Sequence, residues 1–466
     1  MIKIIGANSG DAHSFFELLR IYYPYYEDNE ELFLTYSKKE EFVEVEVQFP
    51  KESFTEKFPY EENPIHLRHR VARWLITSLS KEKKVPNKWG ILTGIRPIKF
   101  VRNHLLEKEE DEVYRLLINH YLVEEKLSHL LIEMAKKEEK LTKDLDSAGY
   151  SLYINIPFCP SRCHYCSYPT ILNNDKSRIK KYINSLVKEL QVVLENGKKW
   201  PSSIYIGGGT PTSIPEEQLE RILSILKPYG KDIEFTVEAG RPETITDSML
   251  NLLSKYGVNR ISVNPQTMKD QTLVDLGRNH TVEDIVEAYK RVKKFPKIHV
   301  NMDLIAGLPG ENEKDFEDTL EKIYELSPES ITIHMLSLKN GSKLYEKNQF
   351  SFEDISSIQD KAMERNINHG FLPYYMYRQK RILGNSENIG YAKEGYESIY
   401  NMIMMEELQS TIGVGMGSTS KIFDGKEGKI LKNSNFRNLR DYEERLDEII
   451  EEKKFFLEKV NEYVME

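Results

Sequence analysis

Leu152-Tyr-Ile-Asn-Ile-Pro-Phe-Cys159-Pro-Ser-Arg-Cys163-His-Tyr-Cys166 reads as a short apolar strand running straight into a loop of cysteines. These three cysteines are the only ones in a chain of 466 residues. A chain that uses cysteine nowhere else is not using it for packing or disulfides. The spacing C-x3-C-x2-C can give one thiolate to each of three irons in a four-iron cubane and leave the fourth iron open. An open iron suggests chemistry rather than electron storage. The residues alone keep a second reading, a zinc site with His164 as fourth ligand. Structural zinc prefers four protein ligands in paired spacings, and no second C-x2-C exists in the chain.

Working outward, similar β-rich runs start near Ser203 (SIYIGG), Ile233 (IEFTVEAG), Arg260 (RISVNPQ), Ile298 (IHVNMDLIAG) and Ser330 (SITIHMLSL). Amphipathic helical stretches lie between most of them. Strands alternating with helices imply parallel β-α units and a sheet covered by helices. Six units are too few for a closed eight-stranded barrel. The expected fold is α/β, an open partial (β/α)6 barrel spanning residues 148–340. Residues 1–147 read as a small α+β accessory domain. Val43, Val45 and Val47 alternate with Glu44, Glu46 and Gln48, which predicts a half-buried strand. Leu67, Val71, Trp74, Leu75 and Leu79 predict a helix. The charged stretch from Glu107 to Asp144 predicts further helices. Residues 341–466 read as a C-terminal region of mixed structure covering the substrate, with one apolar stripe at Leu439, Tyr442, Leu446, Ile449 and Ile450.

In parallel sheets the reactive groups gather at the C-terminal ends of the strands. The cysteines, Gly207-Gly208-Gly209, Glu238, Gln266 and Asp303 all read as falling at or just after such ends. Three successive glycines exceed what a turn needs and allow close approach of a ligand to the backbone. The run matches neither a dinucleotide fingerprint nor a phosphate loop. Glu238 and Asp303 sit inside β-rich runs, where a carboxylate is costly without a partner. Carboxylates suit ribose hydroxyls and ammonium groups, and an arginine such as Arg278 suits a carboxylate. Pro373-Tyr-Tyr-Met-Tyr-Arg-Gln-Lys380 fits either an edge strand or a platform for a flat anionic ring, with the edge strand favoured. The tyrosines around Pro24 read as packing.

The 65 Lys+Arg against 74 Asp+Glu give a formal charge of -9. No long like-charge block is present, which argues against a general nucleic-acid binder and leaves room for a local basic groove. No apolar run approaches the ~20 residues that span a bilayer. The first residues lack the apolar core and cleavage pattern of a secretory leader. Together with unpaired cysteines this sets the expectation of a cytoplasmic protein.

With these residues in view the chain resembles a known family. The cysteine triad with Tyr165 before its last member, GGGTP (Gly207–Pro211), a strand ending in Glu238, GRNH (Gly277–His280) and DLIAGLPG (Asp303–Gly310) resemble the radical S-adenosylmethionine superfamily. WGILTGIRP (Trp89–Pro97), VEAGRP, YMYRQK and IGYAKEG narrow the resemblance to the anaerobic coproporphyrinogen III oxidase group, HemZ type. The resemblance implies that Cys159, Cys163 and Cys166 ligate a 4Fe-4S cluster. It implies that Tyr153, Gly208 and Glu238 contact S-adenosylmethionine at the open iron. Tyr165, Gly209, Thr210, Gln266, Arg278 and Asp303 match contacts to a second S-adenosylmethionine, and Ser337 lies near another such position. The implied reaction is oxidative decarboxylation of two porphyrinogen propionates to vinyls through a 5'-deoxyadenosyl radical. The implied partners are a tetrapyrrole substrate and an electron donor of flavodoxin or ferredoxin type. Relatives of the wider group are haem chaperones or methyltransferases that open haem. Where the established oxidases carry a further cysteine after the triad, this chain has Tyr168. No residue is assigned as catalytic.

Overall fold

The structure, a computed structural model, describes residues 2–23, 31–49, 52–82, 84–85, 87–94, 96–337, 342–344, 356–379, 385–424 and 429–462. Ile95, Lys380, Tyr25 and Tyr26, which belong to motifs singled out above, lie outside the described residues. The chain divides into two units, Met1–Lys136 with Arg378–Ser386, and Lys137–Tyr377 with Glu387–Glu466.

The first unit is built on a four-stranded sheet in the order β1 (Ile2–Ile5), β2 (Leu32–Lys38), β3 (Phe42–Gln48) and β4 (Ser53–Pro59). β1 is parallel to β2, and the others form an antiparallel meander. The helix Ser9–Tyr22 makes the crossover that a parallel pair requires. Alternation in β3 puts Val43, Val45 and Val47 in the core, as the period of two predicts. They pack with Phe15 and Leu18 of the first helix and Val71 and Leu75 of the helix Pro64–Glu82. Tyr22 and Tyr23 are buried in the same core. Two motifs of the resemblance meet in this unit. The Arg378 guanidinium lies 4.5 Å from the ring centre of buried Trp89 and donates 2.6 Å to the Leu92 carbonyl.

The second unit carries an eleven-stranded sheet. Its strands are β5 (Tyr150–Ile156), β8 (Ser203–Gly208), β9 (Glu234–Glu238), β10 (Arg260–Ser262), β11 (His299–Ala306), β12 (Ser330–Met335), β13 (Leu372–Tyr377), β14 (Asn388–Ala392), β15 (Ser410–Val414), β16 (Thr419–Asp424) and β17 (Lys429–Ser434). A separate parallel pair, β6 (Phe158–Cys159) and β7 (Ile171–Leu172), belongs to the cysteine loop. The large sheet runs β13-β14-β12-β11-β10-β9-β8-β5-β15-β16-β17 and is not closed.

All six β-rich runs are therefore strands, and they lie side by side and parallel in chain order from β5 to β12. Between them run helices with apolar stripes, such as Lys176–Asn196, which buries Ile179, Tyr182, Ile183, Leu186, Leu190 and Val193. Local capping fixes where helices begin. Thr281 with Asp284, and Asn312 with Asp315, form reciprocal capping boxes.

A seventh parallel strand was not anticipated. β15 pairs with the outer side of β5, from Ser410 against Tyr150 to Val414 against Ile154. The C-terminal residues thus extend the same sheet at both edges, with β13 and β14 antiparallel beyond β12 and β16 and β17 beyond β15. Pro373–Tyr377 is an edge strand, and Tyr374 and Tyr375 sit in a small core with Ala392 and Met402. The stripe from Leu439 to Ile450 is two helices, Leu439–Glu444 and Leu446–Glu462, that break at Arg445.

A buried polar knot fastens β15 and these helices to the helix Lys176–Asn196. Glu189 accepts from the Gly415 amide at 2.9 Å, Asn435 Nδ2 at 2.8 Å and Tyr442 Oη at 2.7 Å. Lys453 Nζ lies 3.8 Å from it and donates 2.8 Å to Ser420 Oγ. Burial pulls the Lys453 ammonium below its usual range. Removing one partner of such a buried pair costs about 3–5 kcal/mol, because the other charge is stranded. Glu189→Ala should lose about that much in urea unfolding, and Glu189→Ala combined with Lys453→Met should recover part of it. No helix among the described residues is long and apolar enough to cross a membrane.

Candidate functional site

The cysteine loop leaves β5 at Pro157 and returns along β7. Its two arms are tied by backbone bonds, Ile171 N–H to the Pro157 carbonyl at 2.7 Å and Asn173 N–H to the Cys159 carbonyl at 3.0 Å. Cys159 and Cys163 are buried and Cys166 is half-buried. Burial pushes the Cys159 thiol up to about 11, against a partial offset from Thr210, whose hydroxyl lies 3.6 Å away. Arg241 Nη2 donates to Cys163 Sγ at 3.1 Å and to the Ser161 carbonyl and hydroxyl at 3.0 and 2.8 Å. His164 is bonded to the segment Asp275–Leu276. Its Nδ1 lies 2.7 Å from the Asp275 carbonyl, and its backbone N–H bonds to Leu276.

Strand ends supply most of the rest of the site, but Asp303, expected at or just after a strand end, lies inside β11, three residues before its end. The Cβ that Gly208 lacks would collide with Asn155 Oδ1, and the one that Gly209 lacks would meet the Phe158 carbonyl at 2.5 Å and Cys159 Sγ at 3.0 Å. Gly208 also holds a φ of +111°, which favours glycine. The glycine run thus lets the cysteine loop and Asn155 close onto β8, where the sequence suggested only ligand access. Asn155 Oδ1 accepts from Tyr168 Oη at 2.8 Å and Tyr153 Oη at 3.2 Å. Its Nδ2 donates to the Met416 carbonyl, beyond the end of β15, at 2.5 Å.

Glu238 ends β9. Its carboxylate accepts from Tyr205 Oη at 2.6 Å and from the Gly208 amide at 3.2 Å. Burial, aided by the charge of Asp303, pushes its carboxyl up to about 7 despite these donors. Tyr205 is stacked between Tyr153, at 6.1 Å, and Tyr400, at 4.4 Å between ring centres. Asp303 accepts from Asn301 Nδ2 at 2.7 Å, and His334 Nε2 is 3.9 Å away. Gln266 follows β10 with a φ of +69°, a left-handed conformation that is uncommon outside glycine. Two bonds to β11 pin it there, Gln266 N–H to the Asp303 carbonyl and Ile305 N–H to the Gln266 carbonyl, both 2.9 Å. Arg278 is buried and donates to Tyr165 Oη at 2.9 Å, to the Gly240 and Asn264 carbonyls at 2.7 Å each, and to His280 Nε2 at 3.2 Å. Its guanidinium therefore joins the cysteine loop to two strand-end turns. Ser337 lies two residues beyond β12.

The site so described joins Tyr153, Gly208, Glu238 and Asp303 in one region, Cys159 with Gly209 and Thr210 in a second, and Tyr165 with Arg278 in a third. Arg241, Asn155, Tyr205 and Tyr400 were missed. A polar residue inside the apolar run LYINIPF could have flagged Asn155. Nothing local flags Tyr400.

Residues 153–323 match the model of the radical SAM superfamily. The oxygen-independent coproporphyrinogen-III oxidase-like protein HemZ of Bacillus subtilis is 37% identical over 435 residues, which cover 90% of this chain and 86% of HemZ. The chain belongs to the radical SAM superfamily, HemZ type. HemZ-type identity spans both units. The haem chaperone HemW of Bacillus subtilis is 30% identical over 279 residues, covering 58% of this chain and 70% of HemW. The solved structure of coproporphyrinogen III oxidase HemN from Escherichia coli shares the fold, with a TM-score of 0.53, 20% identity and coverage of 64% and 69%.

The superfamily's cofactors are a 4Fe-4S cluster and S-adenosylmethionine. The donor set of this radical SAM protein fits them. Among the described residues no three His, Cys, Asp or Glu side chains converge as a single-ion site requires. Thiols spread along one loop suit a cluster in which each sulfur meets its own iron. His164 joins no group of three such side chains among the described residues, so the zinc reading gains no support.

Glu238 has a consequence for stability. Its carboxyl has a reference value of 4.5 and is raised to about 7 in the fold. The fold therefore binds this proton more tightly than the unfolded chain does. The associated stability is complete below the unfolded value and is lost as pH rises through about 7. Glu238→Gln should remove that loss, so the melting temperature of the variant relative to the parent should climb between pH 5 and about 7.5 in calorimetry.

Proposed function

We propose that the chain is an oxygen-independent coproporphyrinogen III dehydrogenase-like enzyme. The observation that carries the proposal is the pair of carboxylates, Glu238 at the end of β9 and Asp303 inside β11, which share one electrostatic field beside the three-cysteine loop. Cys159, Cys163 and Cys166 hold the 4Fe-4S cluster. Tyr153, Gly208 and Glu238 receive S-adenosylmethionine. Tyr165, Gly209, Thr210, Gln266, Arg278, Asp303 and Ser337 form a second S-adenosylmethionine site.

When bound, these cofactors supply a 5'-deoxyadenosyl radical able to abstract hydrogen from a porphyrinogen propionate. The chain's own residues place and shield them. Arg241 donates to Cys163 Sγ and to Ser161 and so fixes the middle of the cysteine loop. Tyr205 and the Gly208 amide orient Glu238 toward ribose or ammonium donors. The Tyr153–Tyr205–Tyr400 stack supplies an aromatic wall. The coproporphyrinogen assignment is supported by the HemZ relative, whose name is oxidase-like. The HemW relatives support a second reading, a haem carrier.

Anaerobic reconstitution, followed by product analysis with coproporphyrinogen III and separately with haem, separates the two. An enzyme yields 5'-deoxyadenosine, CO2 and vinyl product. A carrier takes up haem stoichiometrically and leaves coproporphyrinogen untouched. Cys163→Ala should lose iron and all 5'-deoxyadenosine formation. Asp303→Ala should keep its iron and weaken S-adenosylmethionine binding roughly 10- to 100-fold in equilibrium dialysis, as expected when a charged hydrogen bond is lost.

A further inference from the structure

We propose that Glu243, linked through His280 to Arg278, is the counter-charge that sets the reduction potential of the cluster on the cysteine loop. The proposal rests on the assignment of Cys159, Cys163 and Cys166 to that cluster.

Two buried guanidiniums brace the loop. Arg241 is 3% exposed and Arg278 4%. Arg241 reaches Cys163 and Ser161, and Arg278 reaches Tyr165, the residue before the last cysteine. Cations so buried are costly without an opposite charge. Glu243 Oε1 lies 3.9 Å from Arg241 Nη1. Among the described residues no other carboxylate is within ion-pair distance of either guanidinium. Two cations therefore share one carboxylate, and a net positive charge stays buried beside the loop.

The same carboxylate reaches Arg278 through His280. This histidine is 6% exposed, and burial draws its imidazole below the usual value, which favours the neutral form. Its Nε2 accepts from Arg278 Nε at 3.2 Å, so its one proton sits on Nδ1. Nδ1 faces Glu243 Oε2 at 3.2 Å, outside the alignment of a full hydrogen bond. Burial pulls the Glu243 carboxyl up, but His280, its own backbone N–H and Arg241 outweigh this and hold it below the ordinary range. Glu243 is therefore a full negative charge at pH 7. Both pairs come from motifs quoted above, Arg241 and Glu243 from VEAGRP and the residue after it, Arg278 and His280 from GRNH.

Neither arginine has spent all its donors. Arg241 Nη1 is buried and makes no hydrogen bond. A guanidinium has five N–H donors. Arg278 gives Nε to His280, one Nη1 hydrogen to Tyr165 and both Nη2 hydrogens to the Gly240 and Asn264 carbonyls, so one Nη1 hydrogen remains. The loop is thus flanked by a net cation with unspent donors, which an anionic group would satisfy. A cluster on three thiolates is such a group, and its potential responds to nearby charge and hydrogen bonding. Positive charge favours the reduced, more negative state, and Glu243 offsets part of that charge.

The test poises the reconstituted protein at a series of potentials. Reduced cluster is read by electron paramagnetic resonance, and iron is counted in every sample. Glu243→Gln removes the counter-charge and keeps the shape. At the parent's midpoint its ratio of reduced to oxidised cluster should rise about threefold. Glu243→Asp keeps the charge and should stay closer to the parent than to Glu243→Gln. His280→Leu unlinks Glu243 from Arg278 and should raise the ratio by less. His280→Gln, whose amide can accept from Arg278 and donate to Glu243, should return it to the parent value. A parent-like ratio in Glu243→Gln overturns the proposal. So does an equal rise in Glu243→Asp, which marks a loosened loop rather than a lost charge. If Glu243→Gln holds no iron, His280→Leu decides, and a parent-like ratio there overturns the proposal. A parent protein that takes up no iron overturns the cluster assignment first, and the counter-charge proposal with it.

Discussion

The side chain of Asn155 is the point on which the second unit depends. One carboxamide accepts from Tyr153 and Tyr168 and donates to Met416, while its oxygen fills the space that Gly208 leaves open. Its backbone carbonyl takes the hydroxyl of buried Tyr182 at 2.6 Å. Four parts of the chain therefore meet at one residue of β5: the return arm of the cysteine loop, the glycine turn, the end of β15 and the first helix of the sheet. A buried amide is expensive when unpaired and well anchored when saturated. Three bonds to the carboxamide and one to the backbone carbonyl tie these parts of the chain together.

Fixed cations work beside it. Arg278 spends its donors on Tyr165 and on two turn carbonyls, so it acts as a brace between the loop and the sheet. Arg241 braces the other side of the loop through Ser161 and lends its charge to Cys163. The planar fork of a guanidinium suits such multi-point bracing better than an ammonium does. Gln266 shows the complementary cost, a left-handed backbone kept in place by its ladder to β11.

Much of this was legible in the sequence, for physical reasons. Strands buried on both faces read as nearly continuous apolar runs, so all six from β5 to β12 stood out. Glu238 and Asp303 stood out because carboxylates inside such runs demand an explanation. β15 did not, because Ser410-Thr-Ile-Gly-Val414 is short, contains glycine, and pairs with a strand some 260 residues earlier. Arg241 acts on a loop about 80 residues before it, and only the fold reveals that reach. The split of the last apolar stripe at Arg445 was hidden because its spacing continues across the break.

The late arrival of β15 has a consequence for the order of assembly. β5 gains its β8 neighbour within about 60 residues of synthesis, but its other edge stays open until residues 410–414 exist. Until then the strand that leads into the cysteines is an edge strand, and Asn155 lacks its Met416 acceptor. Contacts of such long sequence separation form late, because the loop between them must first be closed. The strand that carries the cysteine loop therefore has both neighbours only once the C-terminal strands have docked.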